Sequence, residues 1–252
     1  MNKNKLKLNE EKTELLVVGD RTRLCQVKKE PLTFGPNAVL FQTSAKYLGV
    51  HLDETLSMKE QATSLCRSSY FHLRKIASTS LYLSDESTAQ LVSSLILSRL
   101  DYCNSTLSGL PSCLLNRLQM VQNNAARLVL RKRKSDHVTP LLEKLHWLPV
   151  EARIHYKIAT LAFRHFENSL PPYLSDLLHT YQPSRTLRSS SEKLLKVPKT
   201  NLKSAGNRSF HFQAAKIWNS VPTDVRSSPS LISFTKNLKT HLFKERLISL
   251  GL

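Results

Sequence analysis

The residue types that can do chemistry are present in this chain, but their spacing assembles no catalytic constellation. The seven aspartates, Asp20, Asp53, Asp85, Asp101, Asp136, Asp176 and Asp224, are scattered. Two-metal phosphoryl transfer needs two or three carboxylates clamping ions about 4 Å apart, and no two of these aspartates are neighbours. Asp101-Tyr102 has the look of a polymerase signature, yet it offers one carboxylate at an expected helix end, so a structural role is expected of it. His137, His146, His155 and His165 follow at irregular intervals, and Cys25, Cys66, Cys103 and Cys113 form no C-x-x-C pair. Neither set has zinc-ligand spacing. There is no G-x-S-x-G elbow and no G-x-x-x-x-G-K-[ST] loop. The residues themselves give no ground for expecting a metal, a cofactor or an independent enzymatic activity.

What remains is positive charge. Thirty-seven Lys and Arg face 19 Asp and Glu, leaving +18 over 252 residues, and a chain so basic most often answers to a polyanion. Scattered cysteines suit reduced thiols and a nuclear or cytoplasmic location. No apolar run approaches the roughly 18 residues of a membrane span, and charges interrupt the basic N-terminus too often for a signal peptide. With 40% hydrophobic residues at regular spacing, intrinsic disorder is not expected. Six glycines are few for a β-rich protein, which favours helices.

The elements that must position this charge read as mainly α. Leu15–Val18, Val39–Phe41 and Tyr47–Leu52 look like three short strands of an N-terminal antiparallel β-ribbon. After Asp53 the period becomes helical, with Ala62, Leu65, Ser69, Leu73 and Ile76 on one stripe. Ser84 offers an N-cap for a helix carrying Ala89, Val92, Ile96 and Leu100. Pro111 opens a third helix, with Leu114, Leu118, Val121, Ala125 and Leu128 inward and Arg131-Lys132-Arg133-Lys134 at its end. Three such helices with short connections predict a bundle. Further helices are expected over Thr139–Leu145, Glu151–Phe166 (Ile154, Ile158, Leu161 and Ala162 inward, Arg153, Lys157 and Arg164 outward), Pro171–Tyr181, Phe210–Ser220 and Ser230–Leu247. Residues 182–208 hold seven Lys and Arg against Glu192 alone and read as an extended basic arm, with a strand at Leu194–Val197. Trp147, Trp218, Phe234 and Phe243 stand at apolar helical positions and are expected in the core. The resulting division is 1–55, 56–135 and 136–252.

Several ordered segments resemble one family. Leu8-Asn9-Glu10-Glu11-Lys12-Thr13-Glu14 resembles the L-N-x-x-K-T-E segment of non-LTR (LINE-class, jockey-like) retrotransposon reverse transcriptases. Leu48-Gly49-Val50-His51-Leu52-Asp53 is similar to the L-G-V-x-L-D segment of their primer-grip hairpin. The likeness continues through Ser98–Asn104, Leu107-Ser108-Gly109-Leu110-Pro111, Gln119–Leu128, Leu145-His146-Trp147-Leu148-Pro149-Val150, Leu187–Ser190, Lys216–Pro222 and Ser233–Lys239. The resemblance implies a palm edge over 1–55, a thumb over 56–135 and the element's C-terminal region beyond. It places the Y-x-D-D turn, with its aspartates and their Mg²⁺, before Met1, so this fragment is expected to hold neither cofactor nor polymerase activity. Lys12 matches the lysine thought to serve as a general acid in that family; without metals it reads as a surface lysine.

The expected function is therefore binding of RNA or an RNA/DNA template–primer without sequence readout, with a separate fingers–palm segment as a further partner. Lys and Arg on the outer faces of packed helices neutralise phosphates and release counterions. Arg67, Arg74, Lys75, Arg117, Arg127, Arg131, Lys132, Arg133 and Lys134 are the candidates on the thumb. Tyr47, Leu48 and Gly49 are expected to support a primer end, and Arg185 and Arg188 belong to the basic arm. The alternative is a domesticated or decayed helical interaction module with no polymerase role.

Overall fold

Residues 9, 12–28, 30–34, 37–183, 193–200 and 205–249 are described by the structure, a computed structural model. The chain divides into two units, 1–64 and 65–252. It is mainly helical, as the composition and period predict. The expected division near residue 135 falls inside the second unit.

In the first unit, apolar runs too short to cover a sheet face form strands in pairs. Strand β1 (Leu15–Leu16) precedes a one-turn helix α1 (Arg21–Leu24), which Asp20 caps by accepting the Arg23 N–H at 2.9 Å. Strands β2 (Leu32–Phe34) and β3 (Asn37–Val39) form an antiparallel pair. Strand β4 (Phe41–Gln42) pairs with β1 in parallel, so the single antiparallel ribbon is replaced by separate two-stranded pairings. The third pair is a hairpin of β5 (Ser44–Tyr47) and β6 (Val50–Asp53).

This hairpin corrects the expected strand at Tyr47–Leu52. Leu48 (φ 46°) and Gly49 (φ 83°) are both left-handed, and Tyr47 stands opposite Val50. A two-residue turn with two positive φ angles matches the twist of paired strands, and glycine enters that region without a Cβ penalty. The alternating apolar pattern is thus folded back on itself at Leu48-Gly49.

Asp53 holds the chain between this hairpin and helix α2 (Lys59–Thr79). Its carboxylate accepts five hydrogen bonds, from the N–H groups of Thr55, Ser57 and Met58 and the hydroxyls of Thr55 and Ser57, at 2.7–3.2 Å. They offset the strain of left-handed Leu56 (φ 51°) and Met58 (φ 58°). Burial alone would raise the carboxyl's pKa, but these bonds outweigh it and hold the group below its ordinary value. A carboxyl with a depressed folded pKa stabilises fully above its unfolded value of about 3.9, and loses that contribution as pH falls through the folded one. Asp53→Asn is expected to lower amide-exchange protection over Thr55–Met58 about tenfold. The wild-type segment should lose protection, corrected for intrinsic rate, only below about pH 4; unchanged protection in the variant would refute this role.

The second unit begins within α2, where Ser69, Leu73 and Ile76 are buried as their spacing predicts. Helix α3 (Asp85–Val92) starts at Ser84, whose hydroxyl accepts the Ser87 N–H at 3.1 Å, and runs through a π turn (Ser93–Leu97) into α4 (Ser98–Asp101). A 3₁₀ turn at Asn104–Leu107 leads to α5 (Ser112–Val129), followed by α6 (Thr139–Lys144) and α7 (Val150–Phe166). Then come α8 (Pro172–Ser175), α9 (Phe210–Ser220), α10 (Thr223–Arg226) and α11 (Leu231–Ser249).

Helix α7 is the central element, packing against α5, α9 and α11. Its Phe163 stacks on Phe234 of α11 with centroids 4.3 Å apart, and Phe166 stacks on Trp218 of α9 at 5.1 Å. Trp147, Trp218 and Phe234 are core residues, and Phe243 is half-buried. Gly109 (φ 67°) follows the 3₁₀ turn, and a Cβ there would lie 3.0 Å from Arg208 Cγ and Gln213 Nε2, a contact that favours glycine.

Two expectations about the C-terminal half are corrected. The helix from Pro171 stops at Ser175, because the backbone at His179 and Tyr181 pairs with a strap. Lys196 N–H donates to the His179 carbonyl and Tyr181 N–H to the Leu194 carbonyl, around a Thr180–Leu195 bridge. The strap is part of the expected basic arm, and its described part is pinned down. The Asn219 amide accepts from Leu195 N–H and donates to Leu195 C=O, and Trp218 Nε1–H donates to the Lys193 carbonyl. Leu195 is fully buried, and the strand expected at Leu194–Val197 is reduced to a single bridge at Leu195. Arg185 and Arg188 lie outside the described residues.

An amide network joins α5 to the start of α7. Gln122, fully buried, donates to the Leu148 carbonyl at 2.8 Å, while Gln119 accepts the Val150 N–H at 2.8 Å and donates to Gln122 and Asn123. Removing one member leaves buried polar groups unpaired. Gln122→Ala is expected to destabilise the protein by about 2 kcal/mol in urea unfolding; a loss below about 0.5 kcal/mol would contradict it.

Candidate nucleic-acid interface

The charged candidates fall into distinct places. Along α2, Tyr70, Leu73, Arg74 and Ala77 recur at the three- and four-residue spacing of one helix face. That face and the end of α5 enclose a groove of about 370 Å³, whose other wall carries Asn124, Arg127, Leu128, Lys132 and Lys134. Four of the expected cations, Arg74, Arg127, Lys132 and Lys134, therefore share one surface.

The local backbone explains how Lys132 and Lys134 reach it. Helix α5 ends in a Schellman arrangement, with Lys132 N–H bonded to the Arg127 carbonyl at 2.8 Å and Arg131 N–H to that of Leu128 at 3.3 Å. Arg131 takes the left-handed position usually given to glycine (φ 51°). The chain reverses there and carries the next lysines back over the last turn. A turn at Asp136, whose carboxylate accepts the Arg133 N–H at 2.8 Å, closes the segment.

Arg131 itself is committed to structure. Its Nε–H donates to Asp85 at 2.9 Å and its Nη2 to the Leu83 carbonyl at 2.8 Å, tying the end of α5 to the start of α3. Arg127 donates through Nη2 to the Asp136 carbonyl at 3.0 Å, while its buried Nε has no partner among the described residues. Asn124 donates to the Tyr70 hydroxyl at 3.3 Å across the groove.

The other candidates stand elsewhere. Arg67 and Lys75 are exposed on α2, Lys75 with its ammonium 6.0 Å from the Phe71 ring centroid. Burial pushes the Cys66 thiol up, and the nearby positive charge of Arg117 opposes that shift, which sets Arg117 beside α2 but outside the groove lining. Arg133 is exposed in the turn. Lys12, Tyr47, Leu48 and Gly49 belong to the first unit. Lys12 is exposed, and the hairpin tip is open, with Tyr47 67% and Leu48 73% exposed.

Asp101 has the structural role expected of it, paired with Arg153 at 2.5 Å. Arg153, expected on the outer face of α7, is half-buried. Tyr70 and Asn124 in the groove were not singled out by the sequence, although the i, i+3, i+4, i+7 spacing of residues 70, 73, 74 and 77 marks their face. Among the described residues no three His, Cys, Asp or Glu side chains are grouped to hold a metal ion, and no helix is long and apolar enough to cross a membrane.

Arg131→Ala is expected to lower stability by about 1 kcal/mol, because a half-exposed ion pair and a charged hydrogen bond to a carbonyl are lost together. Arg133→Ala and Lys134→Ala should each shift it by less than about 0.5 kcal/mol in the same thermal unfolding measurement. Equal effects at all three positions would contradict the assignment. Comparison of the chain with family models, with curated proteins and with solved structures finds no match.

Proposed function

We propose that this chain binds nucleic acid through the phosphate backbone, without reading bases, and has no polymerase activity of its own. The observation that carries the reading is the convergence of Arg74, Arg127, Lys132 and Lys134 on the groove between α2 and α5. In a chain of net charge +18, a groove lined by four cations without a carboxylate is suited to a row of phosphates. The segment resemblance to non-LTR retrotransposon reverse transcriptases supports the same reading, with these helices in the role of a thumb and RNA or an RNA/DNA template–primer as ligand. The chain's own residues would hold the duplex backbone; nucleotide transfer requires carboxylates that this sequence does not group.

Four phosphate contacts predict that log K for a template–primer falls with log[salt] at a slope of about −3 to −4. Lys132→Ala/Lys134→Ala should reduce that slope by about 2 and weaken all sequences alike. Filter binding or fluorescence anisotropy across a salt series reads both. A flat salt response, or an unchanged slope in the double variant, would overturn the proposal.

A further inference from the structure

A second charged site lies beside the start of α7. Where α4, α7 and α11 meet, a cavity of about 340 Å³ is lined by Asp101, Arg153, Tyr156, Lys157 and Lys239, among others. Its floor is a fixed guanidinium. Arg153 Nε–H donates to the Leu148 carbonyl at 2.9 Å and Nη1 to Asp101 at 2.5 Å, and only 17% of the side chain is exposed. Those two bonds set the plane of the fork and leave Nη2 uncommitted among the described residues. A guanidinium held in this way has lost its rotamer freedom before any ligand arrives.

The charge around it is unbalanced. Asp101 neutralises one positive charge, and Lys157 from α7 and Lys239 from α11 line the same cavity with no carboxylate partner among the described residues. Two ammonium groups and a pinned guanidinium in one concavity repel each other unless an anion lies between them. The volume is at the small end of ligand pockets, which run from roughly 300 to 1,000 Å³, so a duplex is excluded and a ligand no larger than a mononucleotide fits. The remaining Nη2 of the pinned guanidinium with two flanking ammonium groups matches the compact dianion of a phosphomonoester better than the single charge of a phosphodiester. Tyr156 lines the same cavity.

We propose that this cavity is a binding site for a terminal phosphomonoester, separate from the groove between α2 and α5. The same chemistry is offered by a free nucleoside monophosphate and by the 5′-phosphate of a nucleic-acid strand. Lys157 and Lys239 are both exposed, so their removal tests the site without disturbing the fold.

Isothermal titration of the full chain with inorganic phosphate, AMP and adenosine tests the proposal. Phosphate and AMP are expected to compete for one site, and adenosine to give no heat. Lys157→Ala and Lys239→Ala should each weaken AMP binding about tenfold with unchanged thermal unfolding. Lys132→Ala/Lys134→Ala should leave AMP binding intact, which keeps this site's outcome independent of the groove's. Displacement of AMP by a 5′-phosphorylated oligonucleotide but not by its 5′-hydroxyl counterpart would identify the strand end as the source. Displacement by neither would identify the free small molecule, and both results support a phosphomonoester site. Absence of phosphate binding, equal binding of adenosine, or wild-type affinity in both lysine variants would overturn it.

Discussion

The carbonyl of Leu148 is the fixed point of the helical unit. It accepts one hydrogen bond from Gln122 of α5 at 2.8 Å and another from Arg153 of α7 at 2.9 Å, so both its lone pairs are used by side chains from different helices. The next residue is Pro149, which has no N–H, and the one after it, Val150, gives its N–H to Gln119 of α5. The first N–H of α7 is therefore satisfied by an amide of α5 rather than by a side-chain cap next to it in sequence. The two helices cannot separate without exposing or orphaning several polar groups at once. α5 carries one wall of the groove and α7 one wall of the cavity, so this single carbonyl sets the placement of both.

The same chemistry divides the positive charge. Arg131, Arg153 and Arg226 each spend their guanidinium on backbone carbonyls: Leu83 for the first, Leu148 for the second, and Val221 with Lys193 for the third. A planar fork can bridge two acceptors in fixed directions, which suits joints between helices. Lysine is a strongly hydrated point charge and is poorly suited to that task, and Lys132, Lys134, Lys157 and Lys239 stay exposed. A net charge of +18 thus overstates what a ligand meets. The arginines hold the walls, and the lysines supply most of the uncommitted charge.

The sequence carried the helices because each buried stripe repeats with the helical period. The seams through Leu73 and Ile76, through Val92 and Ile96, and through Ile154 and Ile158 are buried as spaced. It did not carry what depends on backbone reversal or on distant partners. The alternation across Tyr47–Leu52 conceals a turn, since an apolar Leu48 beside Gly49 looks the same in a strand and in a tip. The end of α5 gives no glycine signal, because Arg131 occupies the left-handed position and is held there by Asp85, 46 residues earlier. Arg153 reads as an outer-face residue until Asp101 and Leu148 are brought beside it. The basic arm reads as extended, but its partners appear only when Asn219 and Trp218 are seen to grip Lys193 and Leu195.

Segments separated in the sequence meet in these contacts. The stretches Gln119–Leu128 and Leu145–Val150 are far apart in the chain and meet at Leu148, while Ser108 donates to Gln213 at 3.0 Å, next to the tight approach at Gly109. Lys216–Pro222 supplies the Trp218 and Asn219 that hold the strap, and Ser233–Lys239 supplies the Phe234 that stacks on Phe163. Together they supply buried amides, aromatic stacks and a backbone contact that favours glycine. Arg131-Lys132-Arg133-Lys134 lies outside those segments and is exposed to solvent.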